Sequence, residues 1–429
     1  MNERIAIIDG IRTPFCKAGG QLREVSADHL GAVVAREIIA RTGINGEQLD
    51  EVIFGNVSQP SNAANIARVI GLRAGVPQRV PAYTVHRNCA SGMESVTTAA
   101  NKILAGEADI ILAGGTESMS NIPLMFNKKM VRFFEELGKA KTTVQKVKVL
   151  LTFRLGHLAP VLGIVEGLTD PICGLIMGLT AEKLSREFGI SRQEQDQYAL
   201  ASHSKALAAI QAGRFAEEIV PLPVPPQFKS VIIQEDGPRA NQTSEALQKL
   251  KPYFDRKNGT VTVGNACPLT DGAAAVIVMK ESKAKALGLK PLGYLRGYGY
   301  AGLEPERMGL GPIYASAKVL DRTGLAVSDM DLFEINEAFS AQVLANLRAF
   351  ESTEFASQKW GRSTALGAID PDKLNVNGGA VALGHPVGTS GIRLIITTLK
   401  ELRRRGKQRG LASLCVGGGQ GGAVIVEVE

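Results

Sequence analysis

The sequence has few cysteines and histidines, and none of them is spaced for a metal centre or a disulfide framework. The 429 residues include five cysteines and no CxxC pair, a scattering that is typical of a protein from a reducing compartment. The cysteines are Cys16, Cys89, Cys173, Cys267 and Cys415. The histidines are His29, His86, His157, His203 and His385, without an HExxH-like pair. We therefore expect no disulfide bond and no metal site.

Long apolar runs are also lacking. No stretch reaches the length of about 18 uninterrupted apolar residues that a membrane-spanning helix needs. The N-terminus, MNERIAIIDG, enters a predicted strand almost at once, so we expect no leader peptide ahead of the fold. The expected location is the cytoplasm, or the mitochondrial matrix for a processed eukaryotic form.

The composition and the order of apolar runs indicate an α/β protein. The chain is 45% hydrophobic and 21% charged, which is ordinary for a globular protein of two or three domains. Short apolar runs alternate with amphipathic helical stretches, a pattern typical of βαβ units, except in a central region rich in helices, prolines and polar turns. We predict an N-terminal α/β half at 1–119, an inserted loop domain at 120–256, the remainder of the first half at 257–280, and a second α/β half at 281–429.

An internal repeat relates the two predicted halves. Residues 89–117 run through a loop, a helix that starts with small residues, and a strand that ends in glycines. Residues 384–420 have the same order, with a strand ending at Cys415. A duplicated α/β unit explains both segments, although chance similarity of Gly-rich turns is the alternative. Duplication would place Cys89 and His385 in equivalent loops, which a pseudo-twofold arrangement brings to one cleft.

Cys89, in the stretch HRNCASGMES, directly precedes a predicted helix. A lone cysteine is usually a buried core residue, and without a base it is weak evidence for catalysis. At a helix start, however, free backbone N–H groups and the helix dipole favour the thiolate, and small neighbours leave room for a substrate. Both interpretations, a nucleophile and a core residue, stay open at this point.

Three further positions are candidates for chemistry. His385 lies in a Gly-rich turn that presents its ring, although a lone histidine is more often structural. Cys415 lies in CVGGGQGG, where glycines let a ligand approach the main chain, but the run lacks the features of a phosphate-binding loop. Asn336 follows a predicted strand, and it either caps the next helix or orients a water or a carbonyl oxygen.

Four motifs occur in the order NCASGMESV, NEAFSAQ, NGGAVALGHPVGTSG and CVGGGQGGA, together with MGLTAE and GTVTVGNACPLTDGAAA. With these motifs the chain resembles the thiolases over essentially its whole length. The resemblance implies the thiolase fold, in which two α/β halves pack as five layers (αβαβα) and a mainly helical loop domain is inserted in the first half. It also implies CoA as a co-substrate and no permanently bound cofactor.

The resemblance implies a role for each matching residue. Cys89 would be the nucleophile that accepts the acyl group, and His385 its activating base. Cys415 would be the second acid/base, a role that suits a thiol with an ordinary pKa of about 8.5. The backbone N–H groups of Cys89 and Gly417 would form one oxyanion site, and His385 with a water held by Asn336 the other.

The implied reaction is the cleavage of a 3-ketoacyl-CoA by CoA in fatty-acid β-oxidation, through an acyl-Cys89 intermediate. Met177, Ala338 and Phe339 match positions that line the pantetheine channel, and Cys267 stands where relatives often carry Ser or Thr. Biosynthetic formation of acetoacetyl-CoA is the alternative, because the same residues run the reverse reaction. A lipid-binding protein without turnover is a third reading, which the intact acid/base set argues against. A homodimer or higher assembly is expected.

A basic amphipathic segment lies inside the predicted loop domain. Between 128 and 154, eight Lys or Arg residues stand against Glu135 and Glu136, a net charge of +6, with apolar residues interleaved. Over 128–155 this pattern favours peripheral contact with an anionic membrane or a partner subunit, and a solvated flap near the CoA phosphates is the alternative. No nucleic-acid motif accompanies it, so we expect no nucleic-acid partner.

This insert, with SHSKAL and KLKPYF, is similar to the β subunit of the fatty-acid trifunctional complex and its bacterial counterparts. That similarity implies long-chain 3-ketoacyl-CoA substrates and an α partner with hydratase and dehydrogenase activities. Those relatives usually have His where Asn336 stands, so chain length and partnership stay open.

Overall fold

A computed structural model describes residues 3–429; Met1 and Asn2, the first residues of the predicted N-terminal half, lie outside this description. Ten strands form one sheet, and two further pairs form small two-stranded sheets. The strands are β1 (Ile5–Arg12), β2 (Cys16–Lys17), β3 (Glu51–Gly55), β4 (Ala82–Val85), β5 (Ile110–Ser118), β6 (Leu124–Phe126), β7 (Pro160–Leu162), β8 (Leu222–Pro223), β9 (Val231–Ile232), β10 (Thr270–Lys280), β11 (Gly293–Gly302), β12 (Leu332–Ile335), β13 (Arg409–Val416) and β14 (Gln420–Glu427).

The helices surround the large sheet and make up most of the insert. They are α1 (Ala27–Thr42), α2 (Ile66–Arg73), α3 (Ser91–Leu104), α4 (Lys128–Lys139), α5 (Thr143–Leu150), α6 (Gly163–Gly167), α7 (Met177–Glu187), α8 (Arg192–Gln211), α9 (Ser244–Gln248), α10 (Glu281–Ala286), α11 (Gly311–Thr323), α12 (Ser340–Glu351), α13 (Thr353–Trp360), α14 (Ala380–Leu383) and α15 (Ser390–Arg405). Short 3-10 turns join several of them.

The sheet repeats one topology twice. The strand order is β1-β10-β5-β3-β4 in the first half and β11-β14-β13-β12 in the second. In both halves the first three strands pair antiparallel in series, and the third pairs parallel with the next. The equivalent strands β1 and β11 pair antiparallel with each other and join the halves. A pseudo-twofold axis between β1 and β11 relates the two halves, and the predicted duplication is confirmed.

The helices and the two half-sheets stack in five layers. Helices α1 and α2 cover the outer face of the first half-sheet, and α11 and α12 cover the outer face of the second. Helices α3 and α15 lie between the half-sheets and share one apolar core with both of them. Gly391 permits this helix crossing, since a Cβ there would lie 2.5 Å from the backbone nitrogen of Met93. The predicted αβαβα arrangement is confirmed.

The insert leaves the sheet after β5 and returns to it at β10. It contains α4 to α9 and the small sheets β6-β7 and β8-β9. The α/β pattern does not resume at 257 as predicted, because no strand forms between residues 257 and 269. The backbone N–H groups of Thr260 and Val261 instead donate to the Glu182 carboxylate, at 2.9 and 2.8 Å. The domain boundaries at 119, 256 and 280 stay predictions.

Candidate active site

Cys89 lies in the loop between β4 and α3, directly before the helix. Its neighbour Asn88 has a left-handed backbone (φ 43°), which asparagine adopts more readily than most residues. The N–H of Ala90 donates to the Arg87 carbonyl at 2.9 Å, and Ser91 Oγ donates to the Asn88 carbonyl at 2.7 Å. These bonds close a tight turn that leaves Cys89 only partly buried.

The surroundings of Cys89 favour the neutral thiol. Burial raises the pKa of Cys89 to about 11, and the charge of Glu117 adds to this. Hydrogen bonds from the backbone N–H groups of Gly417 and of Cys89 itself lower the pKa, but by less than burial raises it. The backbone N–H groups thus favour the thiolate as predicted, but burial outweighs them and the net shift favours the thiol. The thiol is protonated at neutral pH and needs a base to react.

His385 occupies the loop between α14 and α15 and is buried. Its Nδ1 lies 2.5 Å from Ser390 Oγ, and that hydroxyl donates to the Pro386 carbonyl at 3.1 Å. Because the hydroxyl has a single proton, Nδ1–H donates to Ser390 and the free lone pair is on Nε2. Burial, and then the charge of Arg393, lower the pKa of His385 to about 3. The ring is neutral and its Nε2 is an acceptor.

Cys415 and Gly417 lie where β13 ends and turns into β14. Burial raises the pKa of Cys415 well above the ordinary thiol value, and the neighbouring thiols Cys89 and Cys267 raise it further. The Gly417 carbonyl accepts a hydrogen bond from Asn88 Nδ2 at 2.7 Å. This bond ties the glycine turn of the second half to the loop that carries Cys89.

Asn336 lies just beyond β12 and is fully buried. Its Nδ2 is 3.4 Å from His385 Nε2. Asn336 does not cap the next helix, since the residue preceding α12 is Phe339, and the capping alternative is excluded. Within residues 3–429, Asn336 Oδ1 is buried without a hydrogen-bond partner, so an acceptor remains free beside the imidazole.

The predicted catalytic and binding side chains converge on one cavity of about 130 Å³. Its walls are almost entirely apolar, and the groups in it that can exchange protons are one histidine and three thiols. The predicted residues that line it are Cys89, Met177, Cys267, Ala338, Phe339, His385 and Cys415. The backbone of Gly417 reaches the cavity through its hydrogen bond to Cys89, and Asn336 reaches it through His385.

Comparison with known proteins identifies the family. Sequence models of the thiolase N-terminal and C-terminal domains match residues 5–282 and 289–428. The chain belongs to the thiolase family. It is 45% identical over 428 residues to proteins named 3-ketoacyl-CoA thiolase from Yersinia enterocolitica and Yersinia pestis, covering 100% of this chain and 97% of each of those proteins.

Solved thiolase structures have the same fold. A human mitochondrial 3-ketoacyl-CoA thiolase in complex with CoA superposes with a TM-score of 0.86 at 37% identity, covering 100% of this chain and 98% of that one. The acetyl-CoA acetyltransferase of Bacillus anthracis superposes with a TM-score of 0.87 at 38% identity, and the match covers both chains completely.

A larger cavity of about 540 Å³ adjoins the first in this thiolase. Cys89, Met119, Leu168, Met177 and Val387 line both cavities. The outer wall comes from the roots of the insert, with the apolar residues Ile122, Pro123, Met125, Ile164 and Ile172. Sequence analysis missed this cavity, because only the fold brings residues 122–125 and 163–172 together.

Sequence analysis also missed several apolar residues of the smaller cavity. Phe254 packs edge-on against Phe339, with ring centroids 6.1 Å apart. Gly178 makes room for it, because a Cβ at that position would overlap the Phe254 ring. The signal was the glycine directly after Met177 in MGLTAE, which indicates close packing at the start of α7.

Two properties of residues 3–429 bear on cofactors and membranes. No group of three or more His, Cys, Asp or Glu side chains in that part of the chain is arranged to hold a metal ion. None of its helices is long and apolar enough to cross a bilayer.

Proposed function

We propose that this thiolase cleaves 3-ketoacyl-CoA with CoA to give acetyl-CoA and an acyl-CoA that is two carbons shorter, in fatty-acid degradation. The observation that carries the proposal is the convergence of Cys89, His385 and Cys415 on one apolar cavity beside a second, larger one. The names of the Yersinia and human relatives support the same reaction. CoA is the co-substrate, and no permanently bound cofactor is invoked.

The first half-reaction transfers the acyl group to Cys89. His385 Nε2 takes the thiol proton as the sulfur attacks the C3 carbonyl of the substrate, and the C2–C3 bond then breaks. The leaving acetyl-CoA enolate takes a proton from Cys415 and becomes acetyl-CoA. Because the pKa of Cys89 is about 11 and that of His385 about 3, the neutral pair is the resting state and proton transfer accompanies attack.

The second half-reaction restores all three groups. The Cys415 thiolate takes the proton of the incoming CoA thiol, and the CoA sulfur attacks the acyl-Cys89 carbonyl. The Cys89 sulfur leaves and recovers its proton from the His385 imidazolium. One proton has then passed through each side chain, and neither a metal nor a redox group is needed for the balance.

Two donor sets would stabilise the oxyanions. The backbone N–H groups of Cys89 and Gly417 both point at the Cys89 sulfur, and after attack they would meet the oxyanion on the carbon bonded to that sulfur. The His385 imidazolium and a water held by the free Asn336 Oδ1 would meet the enolate oxygen. Each well-placed donor is worth about 3 kcal/mol in the transition state. Loss of Asn336 should therefore slow turnover rather than abolish it.

The CoA arm and the acyl chain need separate spaces. We assign the pantetheine contact to Met177, Ala338 and Phe339, with the Cys267 thiol in place of a hydroxyl. The cavity of about 540 Å³ is assigned to the acyl chain, because it opens directly at Cys89 and its walls are largely apolar. Its volume lies within the range of about 300–1,000 Å³ that is typical of ligand pockets.

Thiolysis of substrates from acetoacetyl-CoA to 3-ketopalmitoyl-CoA tests this assignment. We expect kcat/KM to rise with chain length, and Ile164→Trp, which fills the outer cavity, to lower it about tenfold or more for long chains only. Val165→Trp is the matched control, since Val165 is exposed and does not line the cavity. Activity confined to acetoacetyl-CoA would instead support the biosynthetic alternative, which the Bacillus anthracis structure favours.

The insert presents an apolar and basic surface. Phe133, Phe153 and His157 pack against one another at 5.3 to 5.7 Å, so the α4–α5 hairpin has a small core of its own. Many other apolar residues of the insert stay exposed. The exposed set, called the insert face here, comprises Leu124, Phe126, Val131, Phe134, Val144, Val147, Leu150, Leu151, Leu155 and Leu158. The lysines and arginines of residues 128–154 complement anionic headgroups, and we assign the insert face to peripheral membrane contact.

Co-sedimentation with vesicles checks the assignment of the insert face. We expect binding to phosphatidylcholine vesicles that contain phosphatidylserine, and little binding to phosphatidylcholine alone. Exchange of Leu151 and Leu155, which are 70% and 83% exposed, for glutamate should weaken binding at least about tenfold. Leu104→Glu, at an exposed leucine outside the insert, should bind like the wild type. Absence of binding to anionic vesicles would reject the membrane assignment. Contact with an α subunit, or a solvated flap near the CoA phosphates, would then be the remaining interpretation of this segment.

We propose that two copies of the chain associate along strand β4, at one edge of the large sheet. Within residues 3–429, β4 pairs only with β3, and its residues are half-buried. A second copy that pairs along this edge would cover it and lie close to the loop of Cys89, which supports a homodimer. An α subunit with hydratase and dehydrogenase activities, and the cytoplasmic or mitochondrial location, stay predictions.

A further inference from the structure

The two main catalytic groups belong to different halves of the fold. Cys89 precedes α3 in the first half, and His385 precedes α15 in the second. Only noncovalent contacts hold the histidine loop, 384–390, against the first half. The position of His385 relative to Cys89 therefore depends on the contacts that this loop makes with the first half.

Glu117, near the end of β5, is the carboxylate that joins these parts, and it is fully buried. Its Oε2 accepts the backbone N–H groups of Gly388 and Val57, each at 3.0 Å. Its Oε1 accepts the N–H of Ser58 at 2.9 Å and Asn56 Nδ2 at 3.3 Å. Four donors therefore converge on one carboxylate, and no cation within residues 3–429 forms an ion pair with it. The donors come from the histidine loop and from the segment after β3.

The histidine loop packs closely on β5 at this place. A Cβ on Gly388 would lie 2.7 Å from Glu117 Oε2, and a Cβ on Gly115 would overlap the Gly388 carbonyl oxygen. Other contacts support the loop from β10, where Thr389 Oγ1 donates to the Gly272 carbonyl at 2.8 Å. Of these contacts, the one through Glu117 also holds the wall of the outer cavity, since Val57 and Ser58 line it.

We infer that Glu117 is a positioning residue, whose carboxylate fixes the histidine loop against the first half and so sets His385 against Cys89. The inference rests on the proposed function for its activity readouts. An ionised carboxylate can accept all four donors, two on each oxygen. In a protonated carboxyl or an amide, one of the two oxygens is replaced by a donor, O–H or NH₂, which would face two of these donors. The contacts between Glu117 and either the histidine loop or residues 56–58 would then be lost in part.

The ionisation of Glu117 falls near neutrality. Burial raises its pKa to about 7, the backbone N–H groups lower it, and Asp271 on β10 raises it. Cys89 and His385 also face this region, but their pKa values of about 11 and 3 place them outside the neutral range. The other charged groups on the packed elements are ion-paired: Asp28 with Arg73, Glu94 with Arg87, Glu51 with Lys102, and Arg393 with Glu334. Burial also raises the pKa of Glu334 to about 7, but Glu334 bonds Arg393 and not the histidine loop, so loss of the pH dependence in Glu117→Gln separates the two carboxylates. Since the carboxylate form is the one that bridges, activity should rise as pH increases through 7.

Glu117→Gln tests the inference. We expect kcat for thiolysis to fall about 10- to 100-fold with KM changed much less, because positioning acts on the reaction rather than on binding. The increase of kcat through pH 7 in the wild type should be absent in this variant. Glu182→Gln is the matched control, since Glu182 is a buried carboxylate that also accepts loop N–H groups. It should lose comparable stability and keep the wild-type pH profile.

A second readout does not depend on thiolysis. The rate of Cys89 alkylation by iodoacetamide, measured by mass spectrometry, reports how well His385 assists the thiol, and Glu117→Gln should lower it about tenfold. If Glu117→Gln does not fold, Glu117→Asp keeps the charge but shortens the reach, and it should show the same loss with the pH dependence retained. Wild-type alkylation rate and kcat in the variants would overturn the inference. A wild-type protein that alkylates normally but cleaves no 3-ketoacyl-CoA would overturn the proposed function alone.

Discussion

Replacing Cys89 with alanine is expected to abolish thiolysis of 3-ketoacyl-CoA, lowering kcat by about 10⁴-fold or more. The reason is that the two other thiols of the cavity are held in the unreactive neutral form: burial raises the pKa of Cys267 to about 12 and that of Cys415 well above its ordinary value, and the proposed mechanism gives a base to Cys89 alone. Steady-state thiolysis with CoA measures the loss. Mass spectrometry of protein quenched with substrate should show the acyl adduct on the wild type and none on the variant.

Cys267→Ala is the matched control for this experiment. Cys267 lines the same cavity, and burial raises its pKa to about 12, but the proposed mechanism gives it no proton to carry. It should retain kcat within about tenfold, with the effect of a lost contact appearing in the KM for CoA. An acyl adduct mapped to Cys267 or Cys415 in Cys89→Ala would contradict the assignment of the nucleophile.

Features encoded in short stretches of chain were predictable from the sequence. The start of α3 after Cys89 and the start of α15 after His385 follow from small residues placed before apolar positions at helical spacing. Because the two helices belong to duplicated units, their shared central layer could also be anticipated. The prediction that Cys89 and His385 meet rested on this duplication, and both residues line one cavity.

Features that depend on burial could not be predicted in the same way. Cys89 lies at a helix start, where the sequence favours a thiolate, but desolvation outweighs the backbone N–H groups and reverses the sign of the pKa shift. The bridge at Glu117 joins residues 56–58 and 388, which no local pattern connects. The segment GTVTVGN alternates like a strand, but the Glu182 carboxylate takes two of its N–H groups.

Replacing His385 with glutamine should lower kcat by about 10³- to 10⁴-fold, since a positioned base of this kind contributes about 10²–10⁴ and an oxyanion donor is lost with it. The variant should still bind CoA, because the channel residues are unchanged. His203→Gln is the matched control: His203 is also buried, burial lowers its pKa to about 4, and it does not line either cavity. It should keep wild-type kcat.

The same two variants make a prediction about acid stability. The pKa of His385 is about 3 in the folded protein and about 6.5 in the unfolded chain. Below pH 6.5 the unfolded state therefore binds more protons than the folded state, and the free energy of unfolding decreases as the pH is lowered. Between about pH 7 and pH 5 this group alone should remove about 2 kcal/mol of unfolding free energy. Urea titrations should show a smaller acid loss in both His385→Gln and His203→Gln than in the wild type.

Taken together, the two readouts separate catalysis from burial. A buried histidine without a catalytic role would give the stability effect and leave kcat intact, which is the expected behaviour of His203→Gln. A catalytic base whose lone pair faces the thiol must give both effects, and only His385→Gln should do so. If His385→Gln kept more than a few per cent of kcat, the Cys89 proton would have to leave by a route that does not use this imidazole, and the assignment of His385 as the base would be wrong.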